Sequence, residues 1–405
     1  MRIGFFVLIA TGLFLSLATF ILVRYAQGYR INFDTKFFTR QPVTVSSTGL
    51  LVATSTPDGA SVYINDNLIS ATDNTIDLAP GDYKVKIVKE GYLHWEKDLK
   101  IQKEVVTETH ALLIPQAPKL ESLTITGVLN PTVDPTGNTI AFGVASASAS
   151  KKNGVYVLNM SSLPILSLRN SSLQIAEDNI IPLSNGKFMW SITGKELLAE
   201  TKTKAIYRLK ATEMNNNLAN ISSSVDLLIK QWQEETEQLE TSRLTSLKPA
   251  LSSFIKENFK VLAWSPDETK ILYEASASGA PNRKPIPLFI DPPLIGTNSQ
   301  KETRTIEENK LYVYDTKEDK NFFVKDIDPS GSTPIWFPDN RHFVFVENKQ
   351  VKIIEYDGTN KTTVYSGPFE GNFVYPWLDG SRLVIVTTLN PQPGVSPNLY
   401  TINLK

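Results

Sequence analysis

A ten-residue phrase recurs along this chain and restricts it to a repeat architecture. Its fullest form is Trp264-Ser265-Pro266-Asp267-Glu268-Thr269-Lys270-Ile271-Leu272-Tyr273, in which an apolar residue enters a Pro-Asp turn and the chain returns as an apolar strand. Close variants begin at Trp190, Trp336 and Trp377, and a weaker one at Val133. Pro presets φ for such a turn, and Asp hydrogen-bonds the backbone two residues on. A strand–turn–strand unit cannot bury its faces alone, whereas stacked copies bury one another, so about five copies predict a β-propeller.

Each copy is followed by a further candidate strand, at residues 154–159, 205–209, 310–315, 351–356 and 398–403. The last of these ends the sequence, so the final blade lacks a fourth strand, which residues 121–126 are placed to supply. Pairing the two ends in this way covers edges that otherwise invite aggregation. Five units are visible; a sixth, degenerate blade has room in residues 163–187 or beside the insertion described next.

Two stretches interrupt the rhythm. Over residues 222–258 the apolar period becomes helical, with Val225, Leu228, Ile229, Trp232 and Leu239 on one face and Glu234, Glu235, Glu237 and Glu240 opposite. Ser224 is a candidate cap, and Pro249 suits the first turn of a second helix. This predicts a helical hairpin inserted into a blade, either a structural lid or a docking element. Residues 276–309 are rich in Pro, Gly, Ser and Asn, the composition of a long irregular loop, and such loops are functional or disordered.

The N-terminus is a different material. Residues 3–23 carry no charge, are bracketed by Arg2 and Arg24, and suffice to cross a hydrocarbon core of ~30 Å. Bulky Phe20-Ile21-Leu22-Val23 stands where a signal peptidase needs small residues, so residues 1–26 read as an uncleaved transmembrane anchor. Arg24, Arg30, Lys36 and Arg40 after the span argue for keeping the rest inside, but long domains translocate largely regardless of charge. A polar linker, residues 27–47, follows.

From residue 48 to residue 115 short period-two strands alternate with turns at Pro57-Asp58-Gly59-Ala60, Asn65-Asp66-Asn67 and Pro80-Gly81-Asp82, predicting a small antiparallel β-sandwich. The phrases Gly49-Leu50-Leu51-Val52, Pro57-Asp58-Gly59-Ala60-Ser61-Val62-Tyr63-Ile64-Asn65, Leu78-Ala79-Pro80-Gly81-Asp82-Tyr83 and Lys89-Glu90-Gly91-Tyr92 resemble the PEGA domain of bacterial and archaeal cell-surface proteins. Asp58 replaces the eponymous Glu, and residues 70–75 depart from the family's Gly-x-Thr-Pro stretch. Residues 119–405 likewise resemble the TolB-like or WD40-like propellers, through Trp264-Ser265-Pro266-Asp267 and Lys310-Leu311-Tyr312-Val313-Tyr314-Asp315. Glu268 and Asn340 stand where that family has Gly. The whole resembles a PEGA-domain-containing bacterial membrane protein, which implies a single-pass anchor with the other domains outside the cytoplasm.

Catalytic chemistry is not legible. The chain has no Cys, which excludes disulfides and thiolate sites, and only three His, at positions 94, 110 and 342, without metal-ligand spacing. No nucleophile elbow, phosphate-binding loop or calcium loop occurs, and no cofactor is expected. Asp134, Asp267, Asp339 and Asp379 recur at one place in the repeat and read as turn formers. With 41 basic and 42 acidic residues no global field favours nucleic acid. The expected function is non-enzymatic binding or scaffolding of an envelope protein or glycan by the propeller, with Trp232, Phe289, Trp336, Tyr375 and Trp377 as candidate partner-binding residues, although core packing is the favoured role of Trp336, Tyr375 and Trp377. A structural spacer or cell-wall attachment module is one alternative, and a hydrolase with a site in the propeller channel another.

Overall fold

The computed structural model describes residues 2–26, 29–32, 44–147, 149–160, 172–179, 181–275, 285–389 and 396–405. It contains three α-helices among mostly β structure and divides into two compact units, residues 1–116 with 292–301, and residues 117–291 with 302–405. Parts of the loop expected at residues 276–309 therefore belong to different units.

In the first unit, α1 (Arg2–Ala26) coincides with the expected anchor. Among the described residues no helix is long and apolar enough to cross a membrane. Within the expected linker, β1 (Tyr29–Asn32) and β2 (Thr44–Ser47) pair antiparallel.

The sandwich has a three-stranded and a four-stranded sheet. Strands β3 (Gly49–Thr56), β4 (Ser61–Ile64), β5 (Asn67–Ala71), β6 (Asn74–Leu78), β7 (Gly81–Val88), β8 (Trp95–Ile101) and β9 (Val106–Leu112) assemble in the orders β6-β3-β9 and β5-β4-β7-β8. One pairing departs from the expected all-antiparallel pattern: β3 and β9 run parallel, from Leu50↔Val106 to Thr56↔Leu112. A parallel pair needs a crossover connection, and the four-stranded sheet supplies it. Inward residues of both sheets, Leu51, Ala53, Val62, Val85, Ile87, Trp95, Leu99 and Ala111 among them, form one cluster. Residues 292–301 join this unit through backbone edges: Glu108 N–H donates to the Thr297 carbonyl at 3.2 Å, Lys100 N–H to Ser299 Oγ at 3.1 Å, and Gln300 Nε2 to the Asp98 carbonyl at 2.7 Å.

In the second unit each sequence repeat forms one four-stranded sheet. Strand β10 (Leu120–Ser122) precedes them. Sheet 1 holds β11 (Leu129–Val133), β12 (Thr139–Val144), β13 (Gly154–Asn159) and β14 (Leu173–Glu177); sheet 2 holds β15 (Lys187–Trp190), β16 (Glu196–Glu200), β17 (Ile206–Lys210) and β18 (Ala219–Asn220). Then come α2 (Val225–Thr245) and α3 (Pro249–Asn258). Sheet 3 holds β19 (Phe259–Trp264), β20 (Lys270–Ala275), β21 (Lys310–Asp315) and β22 (Lys320–Asp326), and sheet 4 β23 (Ile335–Trp336), β24 (His342–Glu347), β25 (Gln350–Glu355) and β26 (Thr362–Tyr365). Sheet 5 is β27 (Val374–Pro376), β28 (Arg382–Thr387) and β29 (Asn398–Asn403), with β10 on the β29 edge in antiparallel register, Leu120↔Ile402 to Ser122↔Tyr400.

The second strand of each sheet is buried on both faces, which is why it reads as an apolar run. On β12, Ile140, Phe142 and Val144 pack with Trp377, Val384 and Val386 of sheet 5, while Ala141 packs with Trp190 and Leu197 of sheet 2. Gly143 leaves room on that second side, since a Cβ there would lie 1.8 Å from the Ser184 carbonyl oxygen. Sheets 3 and 4 share Leu272, Val313, Phe343 and Phe345 in one cluster, and β24 contacts β27 of sheet 5.

Sheets 2 and 3 are bridged by the helical insertion. Near its start, Val225 and Trp232 of α2 pack on Leu198 of sheet 2; at its end, Leu244 joins α3 residues Leu251 and Ile255 against Phe259, Ile271 and Tyr273 of sheet 3. Trp264 Nε1 donates to Glu240 Oε2 at 2.9 Å, and Arg243 Nε to Glu268 Oε1 at 2.8 Å. Two expectations fail here. Leu239 is 40% exposed, because it lies between the two packing ends of α2. Ser224 precedes α2 without a capping hydrogen bond, its hydroxyl donating to the Ile221 carbonyl instead.

Candidate functional site

The recurrent acids come first, since they set the turns. Asp134 Oδ1 accepts the backbone N–H groups of Asn138 and Thr139 at 2.8 and 2.6 Å, and Asp339 Oδ1 those of Arg341 and His342 at 2.8 and 3.1 Å. Asp379 Oδ1 accepts from Ser381 N–H at 2.8 Å, and Asp267 from the hydroxyls of Ser265 and Thr269. The turn ends in a left-handed residue in all five copies: Gly137, Gly194, Glu268, Asn340 and Gly380. Neighbouring turns touch through that residue. A Cβ at Gly194 would meet the Asp134 carboxylate and one at Gly380 the Phe337 ring, while Asn340 Oδ1 accepts the Asp267 N–H at 2.9 Å. These acids are consumed by backbone donors.

The five candidate partner-binding residues are not brought to a common surface. Trp232 is buried against Leu198, Trp336 against Phe343 (ring centroids 4.0 Å apart), and Trp377 among Phe142 and Val384. Phe289 is half-buried with Phe254, and Tyr375 half-buried beside Phe373. The indole N–H groups of Trp336 and Trp377 are buried without a hydrogen-bond partner, whereas Trp190 Nε1 donates to the Thr132 carbonyl at 3.3 Å. His342 Nδ1 lies 2.6 Å from Asp339 Oδ2 inside its turn, and His110 is held between Thr54 and Thr56 hydroxyls. Among the described residues no three His, Asp or Glu side chains are grouped to hold a metal ion.

Two cavities of this unit flank the β24–β25 hairpin. Its two turn residues, Asn348 and Lys349, both have positive φ, 53° and 55°, the requirement of a type I′ turn. Asn tolerates that region; Lys does so at a cost of about 1 kcal/mol. On one side is a cavity of about 420 Å3 lined by Lys325, Asp326, Asp328, Glu347, Asn348 and Lys361, with the backbone of β22 as a wall. On the other is a cavity of about 760 Å3 lined by Asn348, Lys349, Phe369, Asn372, Ser330 and the glycines 367 and 371.

Three ammonium groups converge on one carboxylate in the first cavity. Lys352 Nζ is 2.9 Å and Lys325 Nζ 3.4 Å from Glu347, and Lys361 pairs with the same Oε2 as Lys352. Lys325 and Lys361 also stand over the Phe345 ring, 5.0 and 5.8 Å from its centroid. Burial alone would raise the Glu347 pKa, but hydrogen bonds from Lys361 and Lys352 and the surrounding positive charge outweigh it and hold the carboxyl at about 2. Lys325 is only 6% exposed. In the second cavity Phe369 is tilted against Tyr365, and Asn372 Nδ2 donates to the Ser330 and Gly331 carbonyls at 3.3 and 3.2 Å. Sequence reasoning missed this site. Lys325 comes from sheet 3 and the other members from sheet 4, so no local spacing marks them; the faint signal was a Lys in a two-residue hairpin turn.

Against known proteins, residues 48–115 match the PEGA domain family model. No curated protein matches the chain by sequence. Solved structures that match include a putative TolB from Agrobacterium tumefaciens (13% identity, 68% of this chain and 72% of that one, TM-score 0.22). TolB from Acinetobacter baumannii matches at 11% identity over 79% of this chain and 59% of that one, TM-score 0.23. The Pyrococcus horikoshii acylaminoacyl peptidase matches at 13% identity over 69% of this chain and 38% of that one, TM-score 0.20. The latter two are covered over less than two thirds of their length, and scores this low carry no argument about this chain.

Proposed function

We propose that this is a membrane-anchored cell-envelope protein that binds rather than transforms its partner, a protein or a glycan, through the five-sheet unit. The observation that carries the reading is an uncovered apolar helix ahead of a PEGA domain. Leu13, Phe14, Leu15, Leu17, Phe20 and Leu22 of α1 are each more than half exposed, and so wide an apolar surface calls for lipid or a partner. The PEGA match at residues 48–115 supports a position outside the cytoplasm for the rest of the chain. We infer further that the five sheets close into a propeller, supported by β10 completing sheet 5 and by the cluster that sheets 1 and 5 share. A closed propeller is a rigid platform whose loops carry recognition.

The test uses the full chain with a C-terminal tag. Membrane pellets retain an anchored protein through alkaline carbonate washing, and protease added to spheroplasts removes an extracytoplasmic tag. Release into the wash removes the anchor from the reading, and a protected tag removes the orientation. Chemical crosslinking in intact envelopes then reports whether one partner, protein or polysaccharide, is held by the five-sheet unit; a chain that crosslinks to nothing is a spacer.

A further inference from the structure

We propose that the outer edge of β8 is a docking edge for an extended polypeptide strand, and that residues 292–301 close it in cis as a displaceable latch. This surface lies on the sandwich and is separate from the binding by the five-sheet unit proposed above.

Strand β8 ends the four-stranded sheet, as β9 ends the three-stranded one. A terminal strand turns the N–H and C=O of alternate residues outward, where another strand can pair with them. On β8 those residues are Asp98 and Lys100: the Lys100 N–H donates to Ser299 Oγ at 3.1 Å, and the Asp98 carbonyl accepts from Gln300 Nε2 at 2.7 Å. Beside them the Glu108 N–H of β9 donates to the Thr297 carbonyl at 3.2 Å. The two edges of the four-stranded sheet are unequal. At the other edge, the register of β5 on β4 shifts between Val62 and Tyr63, and a bulge of that kind resists strand addition. Strand β8 pairs with β7 without a shift from Gly81↔Ile101 to Ile87↔Trp95, so its edge is regular along its length.

The side chains of β8 state what a partner strand must carry. Trp95, Lys97, Leu99 and Ile101 are buried, while Asp98 and Lys100 are exposed on the opposite face with Glu96 half-buried between strand and solvent. Opposite charges facing each other across an antiparallel pair are favourable, and like charges are not. An antiparallel partner therefore places an acid opposite Lys100, a base opposite Asp98 and Glu96, and apolar residues in alternation with them.

The latch is firmly based and lightly held. On its upstream side the Phe289 and Ile290 N–H groups donate to Asp319 Oδ2 at 2.6 and 2.8 Å, and Ile286 is buried. Downstream, Arg304 Nη1 donates to the Pro287 carbonyl at 2.8 Å, Asn321 Nδ2 to the Thr303 carbonyl at 2.7 Å, and Ile306 is buried. Between these bases no residue from 292 to 301 is buried, and Leu294 and Ile295 remain 50% and 60% exposed. The tip thus stays in place without an apolar anchor, and on β8 it is side chains, Ser299 Oγ and Gln300 Nε2, that meet the backbone. An added strand meets Asp98 and Lys100 with main-chain donors and acceptors on both. Tethering at two ends keeps the latch at high local concentration, so it excludes weak strands and returns when a bound one leaves.

The experiment is fluorescence anisotropy on the full-length protein in detergent micelles with three labelled peptides. The matched probe is Thr-Glu-Val-Lys-Val-Lys-Thr; the second exchanges Glu and Lys throughout, and the third is the matched probe N-methylated at alternate residues. Ser299→Ala combined with Gln300→Ala should bind the matched probe at least tenfold tighter than the unaltered protein does. The charge-exchanged and N-methylated probes should bind that variant at least tenfold more weakly than the matched one. Hydrogen exchange of the Lys100 amide should be at least tenfold faster in the variant, return to slow exchange when the matched probe is added, and leave β4 and β7 protected. Equal binding of the matched and N-methylated probes, or no gain in the variant, overturns the docking edge. Faster exchange that spreads to β4 and β7 overturns the latch, because Ser299 and Gln300 would then be holding the sandwich itself together.

Discussion

The sandwich of residues 48–115 and the five-sheet unit solve the same problem, burying β-sheet faces, in opposite ways. The sandwich closes two sheets over one cluster, so each inward side chain contributes to a single core. The five-sheet unit has separate clusters at three of its junctions: sheet 5 with 1, 1 with 2, and 3 with 4. Between sheets 2 and 3 the insertion packs on both. The difference teaches that one unit should lose structure all at once, whereas the other, like stacked repeats, should loosen junction by junction.

The sharpest way to break this comparison is Trp95→Ala. Removing a buried Trp costs about 3–5 kcal/mol, and hydrogen exchange should accelerate in all strands β3 to β9 together. Acceleration confined to β8 would refute a single core. Phe343→Ala, of similar or slightly smaller cost at about 3–4 kcal/mol, should instead raise exchange in sheets 3 and 4 and leave sheets 1 and 2 protected. Exchange rising across all five sheets would show that the junctions unfold as one.

Acid gives an intermediate effect at the same junction. The Glu347 carboxyl is depressed from its usual 4.5 to about 2, so the stability it contributes is present above pH 4.5 and is lost as pH falls toward 2. The loss is on the order of 2–3 kcal/mol, which thermal melts of the protein and of Glu347→Gln across that window will separate: the variant should show a shallower acid slope. Asp134→Ala should cost about 2 kcal/mol, because the N–H groups of Asn138 and Thr139 lose a charged acceptor, and urea titration reads it directly. The smallest expected change is Glu268→Gly. Relief of a left-handed non-glycine residue is worth about 1 kcal/mol and is partly offset by loss of the half-exposed pair with Arg243, so the melting temperature should rise by only a few degrees.

The turn residues show how much could be read in advance. Glu268 and Asn340 look like departures from a Gly pattern, and both adopt the left-handed backbone that Gly adopts at the equivalent positions 137, 194 and 380. Turn geometry is fixed by three or four consecutive residues, so it survives the change of residue type. The five strand–turn–strand units and the strands at 154–159, 310–315 and 398–403 were legible for the same reason. The aromatic residues Trp336 and Trp377 were candidates for a binding face, with core packing favoured, and neighbouring sheets bury both.

By itself, then, the sequence determined whatever is settled within about ten residues: strand and turn positions, the conformation at each turn end, the two helices of the insertion, and the PEGA pattern. Only the tertiary structure decided which distant segments meet. It paired β3 with β9 in parallel, assigned residues 292–301 to the sandwich unit, set α2 between sheets 2 and 3, and gathered Lys325 with Lys352 and Lys361 on Glu347. The physical reason is range. Dihedral preference and side-chain periodicity act along the chain, whereas packing and ion pairing act through space, between residues whose separation in sequence carries no trace of their contact.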